Sequence, residues 1–448
     1  MTNCSVASQT ERTNPCAKTD TKTLVWVNTT YFAEGLPYMV VRILSSLYFT
    51  QLGVREAYLG YLNYLGIPWN IKFLWAPLVD AWFSKKRWQI ALQALFGLLT
   101  FALAALSFVA GSATDSSEYL TAIAIIFIFM AFVAATNDIA VDGYYMEAIS
   151  TREQQALLSG YRVLSYRLAM VFARSGLVGV VAFATARVIN GSAYYSWSIA
   201  FTIAGVVLCV LAALHACILP ASKQVSGVDP VRGDAPVSKA FQVFTRGFLS
   251  YLQQPKVGVI LVFIVLYKLG DELLFSMVTP FLVRELGITT EQYAWLAGIV
   301  GAAGTIVGAM VGGWWIRRVG LRRALWPLTL LMNVNLWLYV WLSIAKPDPT
   351  TTWGISVIAA VHCVEQIAAG LGSAALLIFL LTTCAKDFRA THYAIGSAIM
   401  SIPGTLLGGA AGGFVERYGY TNLYIWAFIA AIPGMCLIPF VPIREEIA

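Results

Sequence analysis

Charged residues are scarce in this sequence, and several other absences narrow its class. Only 12% of its 448 residues are charged, about half of the roughly 25% found in soluble domains, whereas 58% are hydrophobic. The seven cysteines show neither paired spacing nor a CxxC motif, which argues against a disulfide framework and a metal site. Helical HExxH, P-loop, GxSxG and Gly-rich dinucleotide motifs are also absent. We therefore expect no enzyme, no catalytic residue, no cofactor and no bound metal.

Long apolar stretches fill nearly the whole chain from Leu24 onward. A membrane hydrocarbon core of about 30 Å needs about 20 apolar residues per helix, and such windows recur along the chain. The sequence therefore predicts an all-α integral membrane protein. Its twelve transmembrane helices are predicted near residues 24–51, 57–83, 88–111, 119–147, 155–187, 195–219, 257–283, 290–316, 324–345, 353–384, 391–415 and 422–442.

The net charge of +7 comes from lysines and arginines in alternate loops. Counted over the predicted loops, the side of the N-terminus holds 19 of them and the opposite side holds five. Positive loops face the cytoplasm, so both termini are predicted to be cytoplasmic and no nucleic acid is expected. Residues 1–22 are predicted to be a disordered tail, 220–256 a linker with a surface helix near 241–252, and 444–448 a second tail.

The two predicted six-helix halves, 23–219 and 257–443, repeat each other. Tyr31 matches Tyr267 and Tyr58 matches Tyr293, and the LGV at 52–54 matches the LGI at 286–288, with an offset of 234 to 236 residues. A basic loop follows the second helix of each half, in VDAWFSKKRWQ and in GGWWIRRVGLRRAL. Two parallel six-helix repeats with such loops are typical of the major facilitator superfamily of secondary transporters.

Predicted helices 4 and 5 carry charges that can neutralise each other. They are antiparallel neighbours, so residues whose numbers sum to about 304 lie at equal depth. We expect Asp142 to pair with Arg162 and Asp138 with Arg167. Such pairs either hold the helices together or form a cytoplasmic gate, and substrate or proton binding is less favoured. The whole group comprises Lys72, Asp80, Asp138, Asp142, Arg162 and Arg167.

A second group of charges is predicted to face a central cavity between the halves. Arg174 has no acid on its own hairpin, so it either binds an anionic ligand or pairs with another helix. Glu34 is expected to converge with Lys268 and Asp271, where a buried carboxylate beside a lysine can exchange protons; static ion pairs are the alternative. This group for substrate binding or proton coupling comprises Glu34, Arg42, Arg174, Lys268, Asp271, Glu272 and Glu365.

Six stretches, in order, point to one family. They are YFAEGLP at Tyr31, GIPWNIKFLWAPLVD at Gly66, ATNDIAVD at Ala135, YRLAM at Tyr166, VLYKLGD at Val265 and FRATHYAIGSA at Phe388. In these stretches the chain resembles the AmpG-like muropeptide permeases of the major facilitator superfamily, which are similar also to acetyl-CoA transporters and some siderophore importers. The resemblance covers nearly the whole chain.

The resemblance implies a multi-pass importer of the bacterial inner membrane. Such an importer brings N-acetylglucosaminyl-1,6-anhydromuramyl peptides into the cytoplasm for cell-wall recycling, driven by protons. The family's helix-4 aspartates would fall on Asp138 and Asp142, and its helix-7 lysine and aspartate on Lys268 and Asp271. The chain departs from the family at Asn137, where glutamine is usual, and in the GYYM after Asp142; well-known members also have further C-terminal helices.

The prediction is thus a monomeric secondary importer that carries an anionic muropeptide by alternating access and uses the proton gradient without a cofactor. Its expected partners are membrane lipid and a small anionic substrate. One alternative changes the cargo to a ferric siderophore, acetyl-CoA or another anion. The other is a membrane sensor that keeps the fold without transport.

Overall fold

The computed structural model describes residues 20–149, 151–187, 192–220, 245–246, 248–384 and 389–443. The helices α1 to α12 of the described residues begin and end within three residues of the predicted bounds, except that α12 ends at Leu437, five residues before the predicted end at 442. The predicted tails lie almost wholly outside the described residues, as does most of the linker; residues 245–246 and 248–252 of it are helical.

The helix bounds are as follows. In the first half, α1 comprises Thr21–Met39, Val40–Leu44 and Ser45–Gln51; α2 comprises Glu56–Tyr61, Leu62–Gly66, Ile67–Ile71, Lys72–Leu74 and Ala76–Ala81; α3 is Lys85–Ala110; α4 is Ser117–Ala148; α5 comprises Arg152–Val171, Phe172–Leu177 and Val178–Arg187; and α6 is Ala193–Ile218. In the second half, α7 comprises Val257–Tyr267, Leu269–Pro280 and Phe281–Glu285; α8 comprises Thr290–Trp295, Leu296–Val300 and Gly301–Val319; α9 comprises Leu321–Val334 and Leu336–Ala345; α10 is Thr352–Thr383; and Arg389–Leu437 contains α11 and α12, separated at Gly419.

Eight helical segments of the described chain are long and apolar enough to cross a membrane by length and composition alone. One of them, Ile395–Phe440, contains both α11 and α12. The spans missing from the eight are α1, α2 and α7, which carry Glu34, Lys72 and Lys268 among other polar side chains. Large apolar side chains such as Met310 are exposed on the surface of the described bundle, as expected for a surface that contacts lipid.

The first helix of each half is interrupted and ends in the same way. α1 and α7 each contain a proline, which lacks the N–H that continues a helix, and a π-helical turn follows it. These turns contain Arg42 and Arg284. Each helix then ends at a glycine with a positive φ angle, 75° at Gly53 and 70° at Gly287, a conformation that glycine adopts without a Cβ clash. The repeat in sequence is therefore also a repeat in conformation.

The helices also pack equivalently in the two halves. In the first half α1 packs on α5 and α3 on α6, and in the second half α7 packs on α11 and α9 on α12. Between the halves, α2 packs on α11 and α5 packs on α8. The space enclosed by these contacts is where the candidate site lies.

The two sides of the membrane bundle differ in how the halves meet. We call the side on which α1 begins the terminal face and the side on which α1 ends the far face. A single core of buried side chains, including Tyr48 and Phe281, joins both halves toward the far face. Toward the terminal face there are two separate cores, one around Trp26 and one around Phe263. The halves therefore meet at the far face and separate toward the terminal face.

Candidate functional site

A central cavity of about 700 Å³ lies between the two halves. Its size is within the range of small-molecule sites. It extends from Arg42 and Asn63 to Ser159, near the terminal-face end of α5. Its charged and strongly polar lining consists of Glu34, Arg42, Asn63, Arg162, Arg167, Arg174, Glu272, His362 and Gln366.

The two aspartates of α4 are bound to two different neighbouring helices. Arg162 of α5 donates a hydrogen bond to Asp142 over 2.7 Å, so the pair expected from their equal depth is formed. The Tyr31 hydroxyl donates to the same carboxylate over 3.0 Å, and the Arg162 guanidinium lies 4.3 Å from the centre of the Tyr31 ring. Asp138 forms an ion pair with Lys72 of α2. The network therefore ties α1, α2 and α5 to α4.

The expected pair between Asp138 and Arg167 is not formed, and this prediction was wrong. Asp138 pairs with Lys72, and Arg167 donates to the sulfur of Met170 over 3.4 Å. The sequence number of a helical residue predicts its position along the helix axis, but two residues at equal depth can point in different directions around their axes. At 3.6 residues per turn, Arg162 and Arg167 point about 140° apart around α5, so both cannot face α4. Arg167 faces the central cavity instead.

These ion pairs join helices of the same half. The central cavity reaches Arg162 while its bond to Asp142 is intact. This arrangement favours the interpretation that the pairs hold the first half together over the interpretation that they form a gate between the halves. The side chain of Asp80, the remaining member of the predicted group, lies outside the described residues.

Glu34 of α1 lies beside the charged side chains Asp138 and Asp142 of α4. The charged groups nearest to it also include Lys72. Among the described residues Glu34 forms no ion pair with Lys268 of α7, whose partners are Asp271 and Glu272. Its Oε2 atom is buried and has no hydrogen-bond partner among the described residues. Three carboxylates therefore share two cations, Lys72 and Arg162.

Arg42 and Arg174 face the cavity without forming an ion pair with any described residue. Arg42 donates to the carbonyl oxygen of Asn63 over 2.7 Å. Arg174 lies 3.4 Å from the carbonyl oxygen of Ala297 on α8, and its Nε atom is buried without a partner. Because these acceptors are neutral, both arginines leave positive charge on the cavity wall.

The charges of α7 pair within the helix. The Lys268 ammonium lies 3.2 Å from Asp271 and 3.6 Å from Glu272, at the point where α7 is interrupted. Glu272 lines the cavity, whereas Asp271 is only 2% exposed and does not. Successive helical residues point about 100° apart, and here the side chain of Glu272 points into the cavity while that of Asp271 points away from it.

Glu365 lies on α10 behind the cavity wall. It accepts a hydrogen bond from its neighbour Gln366 over 3.0 Å, and its other oxygen is buried without a partner. His362 lies 2.9 Å from the Tyr339 hydroxyl. His362 and Gln366 line the cavity and separate Glu365 from it.

The far face is closed by contacts between the halves, which we call the far-face contacts. Arg284 of α7 donates to the carbonyl oxygen of Thr50 over 2.6 Å and to Glu56 over 3.0 Å. A second ion pair joins Arg55 to Glu416 over 2.9 Å. The backbones of α2 and α11 are in direct contact at the same face. A Cβ atom on Gly412 would lie only 1.9 Å from the carbonyl oxygen of Glu56, so only glycine fits at this position.

Sequence reasoning missed Arg284 and Asn63. The Asn63 amide donates to the carbonyl oxygens of Ser276, over 3.4 Å, and Gly408, over 3.2 Å, and so bridges the halves above the cavity. The available signals were an asparagine inside the predicted second span and an arginine beside the repeated LGI. Among the described residues, no group of three or more His, Cys, Asp or Glu side chains is placed to hold a metal ion.

The comparisons with known proteins agree with this architecture. The profile of the Major Facilitator Superfamily matches residues 27–413. The solved structure of a D-xylose-proton symporter superposes with a TM-score of 0.69 at 13% identity, covering 95% of this chain and 98% of that one, which shows the fold. The chain therefore belongs to the Major Facilitator Superfamily, and it is a membrane transporter with twelve helices in two parallel repeats, as predicted.

Its relatives define the branch of the superfamily. The anhydromuropeptide permease of Escherichia coli strain K12 is 30% identical over 416 residues, which cover 91% of this chain and 77% of that permease. A putative transporter, AmpG 4, of Rickettsia felis is 24% identical over 91% of this chain and 93% of its own length. The chain is thus an AmpG-like permease, and the predicted resemblance is confirmed.

Proposed function

We propose that this transporter is a proton-coupled importer of anhydromuropeptides in the bacterial inner membrane. The proposal is carried by the 30% identity with the permease of that name across 91% of the chain. The cationic wall of the central cavity supports it, because a muropeptide is an anion. The protein works as a monomer and requires only lipid, its cargo and the proton gradient.

Transport proceeds by alternating access. The far-face contacts close one side, and the cavity extends toward the other. With the termini in the cytoplasm, which the positive loops favour, this is the state that opens inward. Import requires the far-face contacts to break so that cargo enters from the periplasm, and to form again before release.

Proton coupling uses buried carboxylates of the two halves. Glu34 shares two cations with two other acids, and Asp271 is buried beside Lys268. Intramembrane acids in such positions commonly serve as proton relays in transporters. Glu34 and Asp271 are therefore the proposed proton carriers, with Glu272 and Glu365 beside them.

Proteoliposomes test the cargo and the coupling together. Labelled anhydromuropeptide, acetyl-CoA and a ferric siderophore are each offered with an inward proton gradient and again after a protonophore has collapsed it. We expect gradient-dependent accumulation of the muropeptide alone. Accumulation of another cargo instead would reassign the substrate, and binding without uptake of any cargo would favour the sensor alternative.

A further inference from the structure

Arg167 and Arg174 form a cationic stripe on α5. They are seven residues apart and lie about 10 Å apart along the helix axis, with Arg174 in the π-helical turn Phe172–Leu177. Both line the central cavity. The two side chains can therefore contact one ligand at two separate points.

No acidic side chain of the described chain forms an ion pair with either arginine. The contact of Arg167 is the neutral sulfur of Met170, and that of Arg174 is a carbonyl oxygen at 3.4 Å. The Nε atom of Arg174 is buried without a partner.

The acids that line the cavity are engaged elsewhere. Glu34 lies with the charges of α4, and Glu272 lies 3.6 Å from Lys268. Arg162 lies only five residues before Arg167 and gives a contrast. It forms an ion pair with Asp142, which joins α5 to α4. Among the described residues the cationic stripe has no such acidic partner, and both of its arginines line the cavity.

Two like charges inside a membrane protein are unfavourable unless something compensates them. Each guanidinium presents a planar set of donors that matches a carboxylate. A ligand with two carboxylates would neutralise both cations.

We propose that Arg167 and Arg174 bind two carboxylates of one cargo molecule simultaneously, so that the transporter selects anions whose charges lie about 10 Å apart. This inference rests on the proposed function and deepens it by naming a charge pattern, which two acidic groups along a peptide supply. It also gives Arg167 a role in binding in place of the predicted role in a gate.

A first experiment is independent of the natural cargo. The melting temperature of the purified protein is measured at constant ionic strength with sebacate, with sebacate monomethyl ester and with the shorter succinate. We expect sebacate to stabilise the protein more than either other compound. Equal effects of sebacate and its monoester on the unsubstituted protein would overturn the proposal.

Variants locate the effect. In Arg167→Gln and in Arg174→Gln we expect sebacate to stabilise no better than its monoester. Arg187→Gln is the matched control, because Arg187 lies on the same helix against the Phe183 ring and outside the cavity. If Arg167→Gln does not fold, Arg167→Lys keeps the charge and should keep the preference for sebacate; loss of the preference in Arg187→Gln as well would contradict the proposal.

A second experiment uses the proposed cargo. Amidation of the C-terminal carboxylate of a muropeptide should weaken its binding to the unsubstituted protein about ten- to hundredfold, the usual contribution of a charged hydrogen bond. In either glutamine variant of the cationic stripe, amidation should cause little further loss. An equal loss in all variants would refute the subsite while leaving the function intact. If no muropeptide binds at all, the function is wrong and the sebacate series decides the subsite alone.

Discussion

The charges of the first half and those of the second half are paired in different ways. Lys72 with Asp138 and Arg162 with Asp142 join three helices, whereas Lys268 finds both of its acids on its own helix, α7. A pair between helices fixes their relative position, but a pair within one helix leaves that helix free to move as a unit. The difference favours a structural role for the two ion pairs of the first half and is consistent with the proposed coupling role of Asp271.

The largest effect on stability is expected from breaking the network between helices. Asp138→Asn leaves Lys72 inside the bundle without its ion-pair partner. The pair is partly buried, with 33% of the Lys72 and 15% of the Asp138 side chain exposed, and leaving such a charge without its partner costs about 1 to 3 kcal/mol. We expect the free energy of unfolding to fall by about 1 to 3 kcal/mol, measured by denaturant unfolding in detergent.

The matched control for this change is the double variant Lys72→Gln with Asp138→Asn, in which neither charge remains. It should recover most of the lost stability, because no cation is left uncompensated. An Asp138→Asn protein as stable as the unsubstituted one would show that the first network does not hold the helices together.

For Asp271→Asn we expect a smaller loss of stability but a complete loss of proton coupling. Glu272 remains 3.6 Å from Lys268, so the cation keeps a partner and the protein folds. Proton-driven accumulation of cargo should be lost, while exchange of labelled for unlabelled cargo without a gradient should persist. Normal accumulation in this variant would remove Asp271 from the coupling role.

The far-face contacts differ from both groups of charges, because they join the two halves. They are therefore expected to hold the transporter in one conformational state. Arg284→Gln removes an ion pair and hydrogen bonds to main-chain oxygens at the far face. We expect the population open at the far face to rise about tenfold or more. An impermeant maleimide added from that side should then label Ile43→Cys, a cavity-lining position, faster in a cysteine-free background. Unchanged labelling would mean that Arg284 does not hold the far face closed.

The smallest effect is expected for Arg55→Gln. The Arg55 side chain is 71% exposed, and exposed ion pairs contribute little because water screens them. The same maleimide assay should give a labelling rate close to that of the unsubstituted protein. A rate as high as in Arg284→Gln would show that exposure is a poor guide to the strength of the far-face contacts.

The helices and the repeat followed from sequence because their causes are local. Apolar length sets the spans, and the LGV and LGI segments were matched as parts of the repeat; their glycines, Gly53 and Gly287, have nearly equal φ angles. Depth along two antiparallel helices was likewise sufficient to predict the Asp142 pair. It was not sufficient for Arg167, because rotation about the helix axis separates it from Arg162.

The sequence by itself determined that this is a twelve-helix transporter of the AmpG type, since lipid requires apolar spans of fixed length and the family's motifs lie within them. Only the tertiary structure decided which charges meet. It turned Arg167 and Arg174 toward the cavity, placed Asp271 behind Glu272 and brought Arg284 onto the end of α1. Each of these outcomes depends on how a helix is rotated against neighbours far away in sequence, and residue spacing along one chain does not encode that rotation.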